Sequence, residues 1–392
     1  DPAQSYFGTH ISLTPYYIEL TRRIGHRKVR LHDTSMIGKW AIAEPEPGQF
    51  QFFDEAVTAT KNGGLEILGM LDGAPKWASA MPREEGGYWA IWNIPNAPDA
   101  PARWENYVRT VVGHYKGRID RWEIWNEPWG KWFIGSGGPP ELYADLMKRA
   151  YRVAHEANPQ SYIIGVDTYR GHEDTWTEPV LKNANSAYYD GFSFHDYNDA
   201  FYGGPEPFPV AQAKVFNDLQ RKYGEAKPLW NTEGGIFGVG SFYAPETGGM
   251  AAQNQPAYAV RYDVTNMAAG VQAYYVYAIH TDPGMGDHET RLTEFDRAVG
   301  PLLAARAVLA SFVDGAGMPQ RLDAPPGVDD YRYPTGVHVV WSHDGAPHDI
   351  PLPQGMKALD VWGNAIEIER AAGEKSGAAV VTVGPEPVYL VK

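Results

Sequence analysis

Short apolar or β-branched runs alternate with longer amphipathic stretches from Phe7 to Phe312, and this alternation limits the possible folds more than any other feature of the 392-residue chain. The runs begin near Phe7 (FGTHISL), Lys28 (KVRLHD), Leu65 (LEILGML), Arg121 (RWEIWNE), Tyr162 (YIIGVD), Gly191 (GFSFHDY), Leu229 (LWNTE) and Ala273 (AYYVYAI), eight in all. Helical patterns cover Trp104–Tyr115, Pro140–Ala157, Ala211–Tyr223 and Ala257–Ala269. A further one, Ala298–Phe312, stops at Asp314-Gly315. Eight strand–helix units predict an α/β protein built as a (β/α)8 TIM barrel over residues 1–315. A doubly wound open sheet is the competing arrangement. It usually carries a Gly-rich turn after its first strand, and none follows Phe7–Leu13.

Beyond Phe312 the pattern changes. Residues 316–392 carry no long helical period and read as short strands: Gly336–Ser342, Ile350–Leu352, Lys357–Trp362, Ala365–Ile368, Ala378–Val383 and Val388–Val391. Turn pairs separate them at Asp344-Gly345, Gly363-Asn364 and Gly384-Pro385. This predicts a smaller C-terminal antiparallel β domain, sandwich-like and packed on the barrel.

Charge and composition remove several classes of function. Lys and Arg number 34 against 48 Asp and Glu, a formal net charge of −14. That balance disfavours nucleic acid or a basic membrane-surface role, because both need cationic contacts to phosphate. With no cysteine, disulfides, thiol nucleophiles, Cys-ligated zinc and iron–sulfur clusters are excluded. No run of about 18 apolar residues suggests a membrane span. The chain opens on Asp1-Pro2 rather than Met, as a mature form or a trimmed chain would. A secreted or periplasmic location is the expectation, with a cytoplasmic one as the alternative.

Aromatic residues make up 13% of the chain, and many sit beside Gly, Pro, Asn or Asp, among them Trp77, Tyr88, Trp89, Trp92, Trp129, Trp132 and Tyr202. Loop aromatics suit a flat ligand with apolar faces, such as a sugar ring; core packing is the plainer use of each. The segments Trp77–Pro101 and Asp196–Pro209 follow strands, and loops after strands build the active face of a barrel.

Two segments could carry chemistry. In RWEIWNEPWG (Arg121–Gly130) an apolar strand ends in Asn126-Glu127-Pro128, with Pro128 expected to close the ladder and bias Glu127 toward an extended conformation. Glu123, deeper in the same strand, suits an internal ion pair. In LWNTEGG (Leu229–Gly235) a second short strand ends in Glu233, before two glycines that allow close backbone approach. These carboxylates end the fourth and seventh strands and so face each other across a barrel mouth. Opposed carboxyls in an aromatic cleft are what glycosidic bond cleavage uses: one protonates the leaving oxygen, and the other attacks the anomeric carbon or activates water. The structural alternative is that each Glu merely caps its strand.

The Trp-Asn-Glu-Pro stretch and the Thr-Glu of Leu229–Gly235 resemble those of the clan A retaining glycoside hydrolases. Trp40–Phe53 (WAIAEPEPGQFQFF) followed by Gly64–Trp77 (GLEILGMLDGAPKW) is most like glycoside hydrolase family 39 and close relatives. The resemblance implies a barrel with a C-terminal β domain, Glu127 as acid/base and Glu233 as nucleophile. It implies Asn126 as the contact to the sugar 2-hydroxyl, Arg30 as support for the nucleophile, and His195 and Tyr197 beside it. His32, Trp77 and Trp129 join these as candidate sugar contacts. The chain departs from the clan where an aromatic, often Trp, ends the eighth strand. AYYVYAIHTD offers Tyr275, Tyr277 or His280 there, and Tyr277 and His280 are taken as candidates.

The chemistry can also be argued directly. Arg30 and a Tyr197 hydroxyl should hold Glu233 ionised, while Trp125 and Trp129 should dry the surroundings of Glu127 and keep it protonated. The expected activity is a retaining glycoside hydrolase that cleaves β-linked oligo- or polysaccharides through a covalent glycosyl-enzyme. A transglycosylase using the same two residues and a non-catalytic carbohydrate-binding barrel are the alternatives. A third is a metal-dependent hydrolase built on His280, Asp282, Asp287, His288 and Glu289, although no HExxH or EF-hand spacing appears. No cofactor and no metal are expected. Gly234–Gly240 lacks P-loop spacing, and no Gly-x-Ser-x-Gly elbow is present. The partner expected is a carbohydrate substrate, with no nucleic acid and no membrane.

Overall fold

The structure, a computed structural model, describes residues 1–133, 138–197, 207–236, 253–279, 300–370 and 379–392. Eight parallel strands close into a barrel in chain order: β1 (Phe7–His10), β2 (Lys28–Arg30), β3 (Glu66–Leu71), β4 (Arg121–Ile124), β5 (Tyr162–Tyr169), β6 (Gly191–Tyr197), β7 (Leu229–Gly235) and β8 (Val271–Val276). The helices of the barrel are α1 (Pro15–Arg23), α2 (Trp40–Ala43), α3 (Asp54–Asn62), α4 (Ala100–His114), α5 (Pro140–Ala157), α6 (Glu178–Asn183), α7 (Pro207–Tyr223), α8 (Gln255–Ala268) and α9 (Pro301–Val313). Sequence periodicity located the eight barrel strands and helices α4, α5, α7, α8 and α9 to within a few residues, but did not single out α1, α2, α3 or α6. Helix α5 has the bounds expected, and β8 starts two residues early.

Barrel strands are covered on both faces, so they read as continuous apolar runs rather than alternating ones. The lumen is filled by Leu68, Ile164, Trp230, Ala273 and Tyr275. Gly8 makes room for the Tyr275 ring; a Cβ there would lie 2.6 Å from it. The outer helices cover the barrel with one apolar face each. In α5 that face is Tyr143, Ala144, Leu146, Met147, Ala150, Val153 and Ala154, spaced three and four apart. Each large side chain buried this way contributes roughly 1.5–3 kcal/mol. The lumen packing and the helix shell together make the strand ends a rigid frame for whatever projects from them.

The C-terminal part is two antiparallel sheets. The larger contains β9 (Gln320–Arg321), β10 (Val328–Arg332), β11 (His338–Ser342), β13 (Lys357–Leu359) and β16 (Val388–Val391), in the order β13-β16-β11-β10-β9. The smaller contains β12 (His348–Pro351), β14 (Glu369–Arg370) and β15 (Ala379–Val383), with β15 in the centre. Alternation along β11 sorts its side chains: Val340 joins Val328, Ile350, Val381, Val383 and Leu390 between the sheets, while Val339 and Trp341 join the core of the barrel. Phe312 of α9 packs on Tyr389 of β16 at 5.0 Å, which ties the two parts together.

Two expectations fail here. Ala365–Ile368 is not a strand; it makes one isolated bridge, Leu359 to Ala365, because the Asp360 side chain holds a tight turn by accepting from the Trp362 and Asn364 N–H groups. Strand β10 was not among the expected strands, and its VDDYR places two aspartates mid-strand. Asp329 is tolerated there because Arg321 and His343 bind it.

Candidate active site

Seven strand ends or the residues just beyond them converge at the C-terminal mouth of the barrel. Strand β2 delivers Arg30 at its last position. The guanidinium is buried and uses three nitrogens: Nε donates to Glu123 Oε2 at 2.6 Å, Nη1 to Glu233 Oε2 at 2.8 Å, and Nη2 to Asn126 Oδ1 at 3.0 Å. Arg30 thus serves as the internal cation for Glu123 and as the support for Glu233. Glu123 is completed by the Thr232 hydroxyl, which donates to Oε1 at 2.7 Å. The planar fork lets one guanidinium hold three acceptors in fixed directions, where an ammonium would offer a rotatable point charge.

Strand β4 ends at Ile124, earlier than Pro128 alone would end it, and the chain then turns sharply. Trp125 has φ 67° and Glu127 φ 42°, both in the left-handed region that non-glycine residues rarely adopt. The expected extended conformation of Glu127 is therefore wrong. The local bias from Pro128 is overridden by a tertiary hydrogen bond: the Glu127 backbone N–H donates to Asp167 Oδ2 at 2.8 Å. Each such conformation costs of order 1–3 kcal/mol and persists where surrounding contacts enforce it.

Asp167 was not among the residues singled out from sequence. It lies on a β-bulge of β5, where the pairing with β6 shifts between Gly165 and Thr168, and Val166 and Asp167 have φ 76° and 36°. The bulge's own polar groups are met. The Trp176 indole N–H donates to the Val166 carbonyl at 2.9 Å, and the Ser193 hydroxyl donates to the Gly165 carbonyl at 3.1 Å. Bulges re-aim side chains at functional rims, and this one turns Asp167 toward Glu127.

Strand β6 supplies His195, whose Nδ1 lies 3.0 Å from Glu127 Oε1, and Tyr197, whose hydroxyl donates to Glu233 Oε1 at 2.7 Å. Glu233 closes β7. One oxygen of Glu127, one oxygen of Glu233 and one ring nitrogen of His195 lie within 4.8 Å of one another. Both glutamates are nearly desolvated, 8% and 7% exposed.

Burial governs the proton equilibria. It pushes Glu127 well above the usual carboxylate range, and the Glu233 charge adds to the effect. Glu233 is pushed up to about 7, again by burial first. Arg30 and the Tyr197 hydrogen bond pull it down, as expected, but desolvation outweighs them; the expectation of a low Glu233 pKa is corrected to that extent. Two carboxyls this close resist joint ionisation, and the Arg30 guanidinium and Tyr197 hydroxyl, both bonded to Glu233, favour the charge there and the shared proton on Glu127. Burial and the Arg30 charge keep His195 neutral.

The remaining candidates divide. His32 is buried, with Nε2 3.0 Å from Asp33 Oδ1 and Nδ1 3.1 Å from Lys39 Nζ, and Lys39 continues to Asp72 at 2.8 Å. The Tyr88 hydroxyl donates to Asp33 at 2.8 Å, and the Asp33 charge raises both glutamates, so this polar cluster borders the pair. Asp33 and Lys39 were also missed; the RLHD run following β2 was the available signal. Trp129 is half-buried and stacks on Tyr169 at 5.4 Å and His172 at 4.8 Å. Tyr277, just past β8, sits edge-on to His10 at 5.0 Å and beside Tyr197, whereas Tyr275 points into the lumen. Trp77 takes no part in this convergence. It packs on Trp40 at 5.5 Å, gives its N–H to the Pro45 carbonyl, and lies under Arg103, which makes it a wall residue. His280, Asp282, Asp287, His288, Glu289 and Tyr202 lie outside the described residues.

Among the described residues, two groups could present metal ligands: Glu123, Asp167 and His195, and Glu127, His195 and Glu233. Each group contains one carboxylate that Arg30 already binds, Glu123 in the first and Glu233 in the second.

No protein-family model matches the chain. In sequence it is similar to beta-1,4-xylanase of Dictyoglomus thermophilum, 24% identical over 139 residues (31% of this chain, 34% of that protein). It is also similar to endo-1,4-beta-xylanase C of Phanerodontia chrysosporium, 29% identical over 154 residues (34% and 35%). The chain thus spans about a third of the length of these curated relatives. In structure it is similar to a family 39 glycoside hydrolase from Bacteroides cellulosilyticus WH2, with TM-score 0.74, 18% identity, and coverage of 100% of this chain and 82% of that one. A family 39 beta-xylosidase from Caulobacter crescentus gives TM-score 0.67 at 15% identity, covering 99% and 96%. A GH30 endoxylanase from Clostridium papyrosolvens C71 gives 0.62 at 13%, covering 100% and 96%. At these identities the shared property is the fold: a TIM barrel with a smaller β domain.

Proposed function

We propose that the chain is a retaining glycoside hydrolase acting on β-linked oligo- or polysaccharides. The observation that carries this reading is the Glu127–Glu233 pair, with oxygens within 4.8 Å at the mouth of the barrel. Carboxyls about 5–5.5 Å apart favour direct attack on the anomeric carbon, whereas inverting pairs stand roughly 6.5–9.5 Å apart to admit a water. The xylanase and β-xylosidase names of the similar proteins make β-xylosides the first substrates to try.

In this mechanism Arg30 and Tyr197 hold Glu233 with its attacking oxygen fixed. Glu127 gives its proton to the glycosidic oxygen as the C–O bond breaks, and Glu233 forms the ester bond to the anomeric carbon. Glu127, now a carboxylate, takes a proton from water, whose oxygen displaces Glu233. Asn126, oriented by Arg30, is positioned to accept from or donate to a hydroxyl next to the reacting carbon. Hydrolysis of a panel of aryl β-glycosides and β-linked polysaccharides tests the reading; turnover of none of them would refute it.

The pH profile is a further check. Its acidic limb should report Glu233 and its alkaline limb Glu127. Removing the Tyr197 hydroxyl takes away a bond that favours ionised Glu233. Tyr197→Phe is therefore expected to move the acidic limb of kcat/KM to higher pH and leave the alkaline limb where it was. An unmoved acidic limb would count against Glu233 as the ionised partner.

A further inference from the structure

The geometry points to Asp167 as a positioning residue that acts through His195: it fixes the imidazole tautomer that donates from Nδ1 to Glu127 Oε1, and so directs the acid proton of Glu127 to Oε2. This rests on the reading of Glu127 as the acid/base and adds a residue to it.

Three contacts form a closed loop. Asp167 Oδ2 accepts the Glu127 backbone N–H at 2.8 Å, Asp167 Oδ1 lies 3.4 Å from His195 Nε2, and His195 Nδ1 lies 3.0 Å from Glu127 Oε1. Asp167 and His195 have fully buried side chains, and Asp167 Oδ1 and His195 Nε2 have no other hydrogen-bond partner among the described residues. Two buried polar atoms facing only each other need one proton between them. If Asp167 carries it, Oδ1–H donates to Nε2, Nδ1 must carry the ring hydrogen, and that hydrogen points at Glu127 Oε1. The acid proton then belongs on Oε2, free for the leaving oxygen. If Asp167 were a carboxylate, Nε2 would carry the hydrogen instead. The bare Nδ1 would then capture the Glu127 proton and hold it away from substrate.

The charges around the loop favour the first arrangement. Burial pushes Asp167 up and the Glu123 and Glu127 charges add to this, while Arg30 and the hydrogen bond from the Glu127 backbone N–H oppose. Burial and Arg30 keep His195 neutral. When Glu127 loses its proton in the first step, the Nδ1–H donor is already in place for the new charge, so no group need reorient.

The test compares Asp167→Ala with Asp167→Asn on aryl glycosides of one sugar that differ in leaving-group basicity. An asparagine amide can accept from the Glu127 N–H and donate to His195 Nε2, as protonated Asp167 would. Asp167→Ala is expected to lose ~10- to 100-fold in kcat/KM on a basic phenol leaving group but no more than about threefold on a dinitrophenolate, which needs no acid. Asp167→Asn is expected to recover most of the loss. Equal losses on both substrates would indicate a structural role only and overturn the inference. So would an Asn variant as impaired as Glu127→Ala, an outcome readable even if the Ala variant fails to fold. Leaving-group dependence in Glu127→Ala with none in Asp167→Ala would overturn this inference alone. A fully active Glu127→Ala enzyme would remove the reading beneath it.

Discussion

Glu233→Ala is expected to lower kcat by about 10⁴-fold or more while the protein remains folded, because it removes the atom that bonds to the sugar in the first step. Azide should restore part of the activity by occupying the vacated space, and the product should be the α-glycosyl azide, since attack comes from the face Glu233 used. Stability follows from the sign of its pKa shift. Glu233 is raised from 4.5 to about 7 in the folded protein, so its contribution to stability is present below the unfolded value and is lost as pH rises through about 7. The isosteric Glu233→Gln variant is therefore expected to melt no lower than the parent at pH 8, as followed by thermal denaturation. A large drop in melting temperature would show instead that the ionised carboxylate holds the site together. Retention of full kcat by Glu233→Ala would refute the assignment outright.

Glu127→Ala should behave differently, and the contrast separates the two roles. Loss of the acid slows breakage of bonds to basic leaving groups by roughly 10²–10⁴-fold, yet a dinitrophenyl glycoside should still form the covalent intermediate. Its breakdown then lacks a base, so a burst of phenolate followed by a slow steady state is expected. Azide, which needs no base, should speed turnover and give the β-glycosyl azide. The alkaline limb of the pH profile should vanish, because the group that titrates there is gone. If both variants gave the same azide anomer, the two roles as assigned would be wrong.

Much of this site is legible in the chain because barrel geometry converts sequence position into spatial position. Glu127 lies just past the end of β4, Glu233 lies near the end of β7 and Arg30 ends β2, so closing the sheet brings them to one mouth. Tyr197 beside Glu233 came from the family resemblance, and the β6–β7 ladder, which pairs His195 with Glu233 and Tyr197 with Gly235, puts both strand ends next to it. What stayed hidden depends on departures from regularity. YIIGVDTY reads as an unbroken strand, so nothing announces the bulge that turns Asp167 toward Glu127. The left-handed Glu127 backbone follows from that distant carboxylate, and the neighbouring proline points the other way. The pKa of Glu233 was misjudged for a related reason: Arg30 and Tyr197 are individual residues that can be read off the chain, but desolvation belongs to the assembled cleft. Trp77 was a candidate sugar contact as a loop aromatic, and its use as wall shows only in its packing on Trp40 and under Arg103.

Whether Glu233 bonds directly to the sugar is reported by the anomeric configuration of the first-formed product. Proton NMR during hydrolysis of a β-glycoside substrate, before mutarotation, should show the β-anomer appearing first and the α-anomer growing in later. The α-anomer appearing first would mean a single displacement by water and would contradict the covalent role of Glu233.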